Sequence, residues 1–310
     1  MLLEKLTKLM PYLRRLTPAG IAMLLFAAPI LLFSENPFKT ANTNITPPQA
    51  QIPAEPSSPR VNLDPFAQTG AFGIRQGDAD RINWSWDRAK RLSVTVWEDQ
   101  KTQTGSLDGF YCGCNITRRG STGGEVDLNS CGYTPRISAS RAARLEWEHV
   151  VPAAFIGRGR SCWVSGASQC VDKAGRPFKG RSCCMIADPA FAMAATDPVN
   201  LVPAIGEVNG DRLDFLFGEI AGERRDYGQC NMEIDRQAKI AEPPDNRRGD
   251  IGRIWAYMSK AYGLTLPRQT AILYSDWIAS DPVSDEEIRI NRAIEREGHR
   301  PNPFVLGFQR

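Results

Sequence analysis

Between residues 145 and 151 apolar and polar positions alternate: Leu145, Trp147, His149 and Val151 interleave with Glu146, Glu148 and Val150, and Pro152 follows. A period of two predicts a strand, and Pro152 stops it because proline has no amide hydrogen to give to a ladder. Neighbouring side chains on a strand face opposite ways, so Glu148 and His149 can share a site only if the strand ends or bulges at that pair. Farther on the spacing becomes three and four. Ile251, Ile254, Trp255, Met258 and Tyr262 predict a helix over residues 251–262. Ile205, Val208, Leu213, Phe215 and Leu216 supply the candidate core residues of a helix over residues 204–217. In that helix Gly206 and Gly210 stand four apart, with Asn209 between them in sequence, so one face is nearly bare and could approach a strand closely. Residues 82–99 contain neither Gly nor Pro and carry Trp84, Trp86, Leu92, Val94, Val96 and Trp97, a pattern open to helix or strand.

The first seventy residues follow a different pattern. Lys5, Lys8, Arg14 and Arg15 precede an uncharged apolar run from Ala19 to Phe33, an order that directs a chain out of the cytoplasm. The run is short for a spanning helix of roughly twenty residues, although Leu16 and Thr17 could extend it. Ser34, Glu35, Asn36 and Pro37 offer no small-x-small cleavage site, which favours an uncleaved membrane anchor over a removed signal. Proline and polar residues then dominate, with Pro47, Pro48, Pro53, Pro56 and Pro59, and nothing there can build a core. The chain therefore divides into a basic segment with signal or anchor helix (1–34), a proline-rich tether (35–69) and one catalytic domain (70–310), without internal repeats.

At 310 residues and 42% hydrophobic content the chain can bury a full core. Its net charge of +3 is too small to identify a polyanionic partner. The distribution says more, because arginines pair at 118/119, 141/144, 158/160, 224/225 and 247/248, where their forks suit phosphate oxygens or simply form a solvated surface. Eight cysteines, all in the 70–310 domain, argue for disulfides in an oxidising compartment. Cys162 and Cys170, flanking Gly166, are the candidate pair; the other partners stay open. Zinc is the rival reading, since Cys112, Cys114, Cys183 and Cys184 could supply four thiolates, but neither pair has the gap of two to four residues common in structural zinc sites.

Only two histidines occur, and one of them, His149, directly follows Glu148. A histidine beside a glutamate is more often structural than catalytic. Context shifts that balance: WEHVVPAAF (147–155) and NLVPAIGEVNGDR (200–212) occur in order with FYCGC from Phe110, CGY from Cys131, YGQCNM from Tyr227, GDIGRIWAYMSKAYG from Gly249 and HRPNPFV from His299. Together these blocks resemble the endonuclease I family of secreted bacterial nucleases over residues 110–308.

The resemblance implies an α+β fold: a ββα-metal core of two strands and a helix, with additional helices and disulfides. It implies His149 as general base and Glu148 with Asn209 as ligands of Mg²⁺, or of another hard divalent cation such as Mn²⁺ or Ca²⁺. Carboxylate and amide oxygens suit such an ion, and a neutral imidazole can take a proton from water. The implied reaction is hydrolysis of DNA, with RNA open, at little sequence preference, leaving 5′-phosphate and 3′-hydroxyl ends. The N-terminal segment adds a membrane as partner if it is uncleaved; no protein partner is expected. Arg158, Arg160 and Arg212 are the candidates for gripping phosphate. Three departures from the family pattern stand out. Val199 precedes Asn200 where relatives commonly have His. No arginine lies between Cys162 and Cys170, so Arg158, Arg160 or Lys173 would have to substitute. The stretch around Cys183, Cys184 and Met185 has no counterpart. Competing readings are a zinc hydrolase using His149, His299 and cysteines, a silent DNA-capturing surface protein, and a purely structural disulfide-held domain.

Overall fold

Trp86–Thr104 forms helix α1, and burial explains the choice of helix: Ala89, Ser93, Val96 and Trp97 are all nearly inaccessible and recur at four, three and one, one helical face. The structure, a computed structural model, describes residues 65–66, 85–104, 107–222 and 224–306, which belong to one unit spanning 61–310. The signal or anchor segment (1–34) and nearly all of the tether (35–69) lie outside the described residues. Among the described residues no helix is long and apolar enough to cross a membrane.

The fold is α+β, built from three small sheets and flanking helices. Strands β1 (Ile116–Arg119) and β2 (Gly123–Val126) form a hairpin. Strands β3 (Leu145–His149) and β4 (Leu201–Ile205) pair antiparallel, Leu145 opposite Ile205 and His149 opposite Leu201. Between them in the chain lie helices α2 (Arg181–Ala187) and α3 (Pro189–Ala195), the latter capped by Asp188, whose carboxylate accepts from the Phe191 amide. Helix α4 (Gly206–Arg212) starts directly where β4 ends. A third sheet orders β5 (Leu216–Phe217), β7 (Ile240–Glu242) and β6 (Glu233–Asp235) side by side. Helices α5 (Arg248–Tyr262), α6 (Arg268–Ser280) and α7 (Asp285–Arg296) close the chain; α7 opens on a reciprocal Ser284–Glu287 capping box.

The 204–217 reading needs correction. Only Gly206–Arg212 is helical; Ala204 and Ile205 belong to β4 and Leu216 begins β5. Seven residues are too few for a helix that stands alone, since isolated helices below about a dozen residues are marginal. Tertiary contacts hold α4 instead. Glu207 in its first turn accepts from the Tyr133 hydroxyl and from the amides of Arg136, Ile137 and Ser138. Leu213 then takes a φ of +56°, which terminates the helix. The bare glycine face meets Arg141 rather than a strand backbone: a Cβ on Gly206 would lie 2.6 Å from the Arg141 carbonyl oxygen, and one on Gly210 2.0 Å from its guanidinium.

Helix α5 matches its pattern, with Ile251, Trp255 and Met258 fully buried and Ile254 nearly so, while Tyr262 is half-buried and Gly263 ends it with a φ of +65°. The cysteines form four disulfides, Cys112–Cys230, Cys114–Cys131, Cys162–Cys184 and Cys170–Cys183. The expected Cys162–Cys170 pair is therefore wrong. Adjacent Cys183 and Cys184 in α2 each reach back to one of these loop cysteines, a nested pairing that spacing alone cannot reveal. With no cysteine free, the thiolates of a zinc site are withdrawn.

Candidate active site

The β3–β4 pair presents its carboxylates to α4. Glu146 and Glu148, two apart on β3, share one strand face, and Asn209 and Arg212, three apart on α4, share one helix face. The Asn209 amide nitrogen donates to Glu146 Oε2 at 3.0 Å, and Arg212 Nη1 donates to Glu148 Oε1 at 2.6 Å. Glu148 and Asn209 thus line one strand–helix interface, where the helix begins as soon as the strand stops.

The two glutamates differ in what remains for a ligand. Glu146 is satisfied on both oxygens by Arg141, with Arg144 and Asn209 adding further donors. Glu148, only 3% exposed, meets a side-chain donor through Oε1 alone, with the His149 backbone also contributing, and Asn209 uses only its amide nitrogen, which leaves Glu148 Oε2 and Asn209 Oδ1 without a side-chain donor among the described residues. Burial pushes the Glu148 carboxyl above its ordinary pKa, Arg212 opposing and Glu146 adding to it. The Tyr111 hydroxyl is buried with no partner and feels the charge of Glu148. Two spare oxygens and an orphaned hydroxyl fit a hydrated hard cation, which takes oxygen ligands and keeps several waters. Among the described residues no group of three or more His, Cys, Asp or Glu side chains could hold a metal, so a cation here would depend on the carboxylate and amide with water.

Strand β3 ends at His149, whose ring turns away from Glu148. Its Nε2 lies 2.7 Å from the Ala195 carbonyl oxygen at the end of α3. A carbonyl only accepts, so Nε2 carries the proton and Nδ1 keeps the lone pair. The ring stacks on Trp86 at 5.0 Å between centroids and 14° between planes. Burial above all, then the charge of Arg181, pulls the His149 pKa down to about 3, against the Ala195 bond, so the ring is neutral at physiological pH. The chain leaving His149 is clamped by Asn200: its Oδ1 accepts from the Val151 amide at 2.7 Å, its Nδ2 donates to the Val151 carbonyl at 2.9 Å, and its own carbonyl accepts from the Val150 amide. Val199 is buried against apolar neighbours, and the backbone clamp is made by Asn200.

The arginines separate by environment. Arg212 is a correction: it is buried, and its donors are taken by Glu148 and the His149, Val150 and Phe215 carbonyls, so it braces the site and cannot meet a phosphate. Arg160 is half-buried and pairs with Asp188 at 2.7 Å. Arg158 is exposed, its guanidinium 4.0 Å over the Phe155 ring. Sequence reasoning missed Arg181. This exposed first residue of α2 lies 4.7 Å over the Trp86 ring, and its charge acts on both His149 and Glu148. No arginine stands between Cys162 and Cys170, but the disulfide from Cys162 runs on to Cys184 and encloses Arg181. Trp86 and Tyr111 were missed as well, since nothing in their local spacing marks contact with residues 63 and 37 positions away.

A protein-family model described as Endonuclease I matches residues 86–307. Endonuclease-1 of Buchnera aphidicola subsp. Acyrthosiphon pisum is 38% identical over 218 residues, covering 70% of this chain and 79% of the relative. Two Aeromonas hydrophila proteins, named extracellular deoxyribonuclease and periplasmic deoxyribonuclease, are each 41% identical over 197 residues, or 63% of this chain and 79% and 77% of theirs.

Proposed function

The chain belongs to the endonuclease I family, and on that premise we propose that it hydrolyses DNA phosphodiester bonds outside the cytoplasm through His149, Glu148 and Asn209. One observation carries the reading: a neutral imidazole locked through Nε2 ends the same strand whose Glu148, with Asn209 on α4, keeps an oxygen spare.

In this reading β3, β4 and α4 are the ββα-metal core. Glu148 and Asn209 would hold Mg²⁺, or Mn²⁺ or Ca²⁺ in its place, which when bound supplies positive charge to the phosphorane-like transition state and the departing 3′ oxygen. His149 Nδ1 takes the proton of the water that attacks phosphorus, while the Ala195 carbonyl holds the ring in the one tautomer that can do so. Arg181, its guanidinium packed over Trp86, is the cation nearest His149 for the non-bridging oxygens, and Trp86 backs the imidazole. Arg212 keeps Glu148 and the end of β3 in register. Attack at phosphorus with departure of the 3′ oxygen leaves 5′-phosphate and 3′-hydroxyl ends. Binding through phosphate carries no sequence information, so cleavage has little base preference. Residues 1–34 direct export and 35–69 tether the enzyme.

The purified full chain incubated with plasmid DNA and with RNA, in Mg²⁺ or in EDTA, tests this directly. Nicking of the plasmid in Mg²⁺ and none in EDTA is expected; cleavage that persists in EDTA overturns the role given to the cation, and an intact plasmid in Mg²⁺ overturns the substrate.

A further inference from the structure

Two nested disulfides make residues 162–184 a basic, doubly stapled loop beside the site. Cys162–Cys184 and Cys170–Cys183 tie residues 162–184 at two levels, with Cys183 and Cys184 both fully buried. Backbone bonds rigidify the loop further: the Phe178 amide donates to the Cys170 carbonyl at 2.9 Å and the Gly180 amide to the Cys162 carbonyl at 3.2 Å. At the tip Asp172 accepts from the amides of Ala174 and Arg176 and from Arg176 Nε, closing a tight turn. Lys179 Nζ donates to the Val164 carbonyl at 3.0 Å.

Charge on this module is one-sided. Between residues 161 and 187 the cations are Lys173, Arg176, Lys179 and Arg181 and the sole carboxylate is Asp172, so the module's balance, 4 − 1 = +3, equals that of the whole chain. All four cations are exposed, and the Arg176 side chain stays 80% exposed despite its bond to Asp172. Lys179 is two residues from Arg181, which reaches Trp86 and the field of His149. Arg176 and Arg181 stand five positions apart, at most about 17 Å of chain, no more than roughly five phosphates of one strand.

We propose that Lys173, Arg176 and Lys179 form a preorganised clamp on the backbone of the DNA strand flanking the scissile phosphate. The proposal rests on the nuclease reading above. Disulfides and turn bonds fix the loop before substrate arrives, so ordering it costs little when it binds. Val164, Val171 and Ile186, each more than half exposed, lie in the same module and could equally favour an anionic membrane surface; continuity of the cations with Arg181 favours DNA.

The test is the triple variant Lys173→Ala/Arg176→Ala/Lys179→Ala in the full chain, compared with wild type on a long duplex and on a two-nucleotide phosphodiester across a salt series. On the duplex KM should rise at least tenfold with kcat within twofold. The slope of log kcat/KM against log salt should become shallower by about 2 to 3, near 0.9 for each phosphate that the variant no longer neutralises. On the two-nucleotide substrate the variant should match wild type. Unchanged slope and KM on the duplex would overturn the clamp, and an equal loss on both substrates would make the loop a structural support of the site. Fluorescence anisotropy on the same duplex in EDTA separates this proposal from the nuclease reading. If wild type fails to cleave but still binds with the steeper salt slope, the clamp stands; if both proteins bind alike, it falls. Sedimentation with phosphatidylglycerol vesicles completes the set: loss of vesicle binding in the variant with duplex binding unchanged overturns DNA in favour of membrane.

Discussion

Arg212 and Arg253 are buried to the same degree, 1% exposed, and each anchors carboxylates, yet their surroundings have opposite character. Around Arg253 every partner is used. Glu287 meets it with both oxygens, at 2.6 and 2.7 Å, and also accepts from the Ser284 amide; Asp250 bonds Arg253 through one oxygen and Arg247 through the other. Around Arg212 three of the four bonds go to backbone carbonyls, and Glu148 answers with one oxygen only. A saturated cluster commits its polar capacity to holding α5 to α7. An unsaturated one keeps capacity for a ligand, and leaves a buried carboxylate and a tyrosine hydroxyl in a state that folding alone does not favour. Degree of burial does not separate the two regions; residual hydrogen-bonding capacity does.

The largest effect should come at His149. Replacing it with Ala should lower turnover by roughly two to four decades, the usual range for loss of a general base, with the DNA affinity of the folded protein near wild type. An equal fall in binding would move His149 into the structural group. At the unsaturated cluster, Glu148→Gln keeps an acceptor for Arg212, and Asn209→Ala removes the second oxygen. Each should remove most metal-dependent turnover, and the double variant should add little because the two act as one unit. Fully additive losses in steady-state kinetics would place them in separate sites.

The saturated cluster should respond in stability instead. Arg253→Met strands the Glu287 carboxylate and leaves Asp250 with Arg247 alone, and should cost about 3 to 5 kcal/mol in urea unfolding, with kcat of the folded enzyme within twofold. Arg212→Met should lower both stability and turnover; a turnover unchanged there would erase the contrast between the clusters. The smallest effect concerns pH. Burial first, then the charge of Glu287, pushes the Asp250 carboxyl up from 3.8 to about 6, against Arg247. The folded state therefore holds this proton more tightly than the unfolded state. The contribution is complete below about pH 3.8 and is lost as pH rises through about 6. The urea midpoint of the wild type should accordingly decline over that interval relative to Asp250→Asn, and parallel curves would show that Asp250 titrates normally.

Strand β3 and helix α5 could be read from spacing, because period is a local property of the chain; His149, Glu148 and Asn209 were singled out by the motifs that carry the family resemblance. Local pattern determined as well that the cysteines form disulfides. It could not determine which ones pair, because Cys183 and Cys184 are adjacent and only their position on α2 sends one to Cys170 and the other to Cys162. Nor could it bound α4, a seven-residue helix whose stability comes from Glu207 binding a loop seventy residues earlier in the chain. Arg212 shows the limit most plainly. As a residue type next to the candidate motif it suits phosphate, but burial and four bonds commit it to the protein, while Arg181, distant in sequence, reaches His149 through Trp86. Residue chemistry was written in the sequence; which donors and acceptors remain unused was decided by tertiary structure, because hydrogen-bond saturation depends on every neighbour that folding brings within about 3 Å.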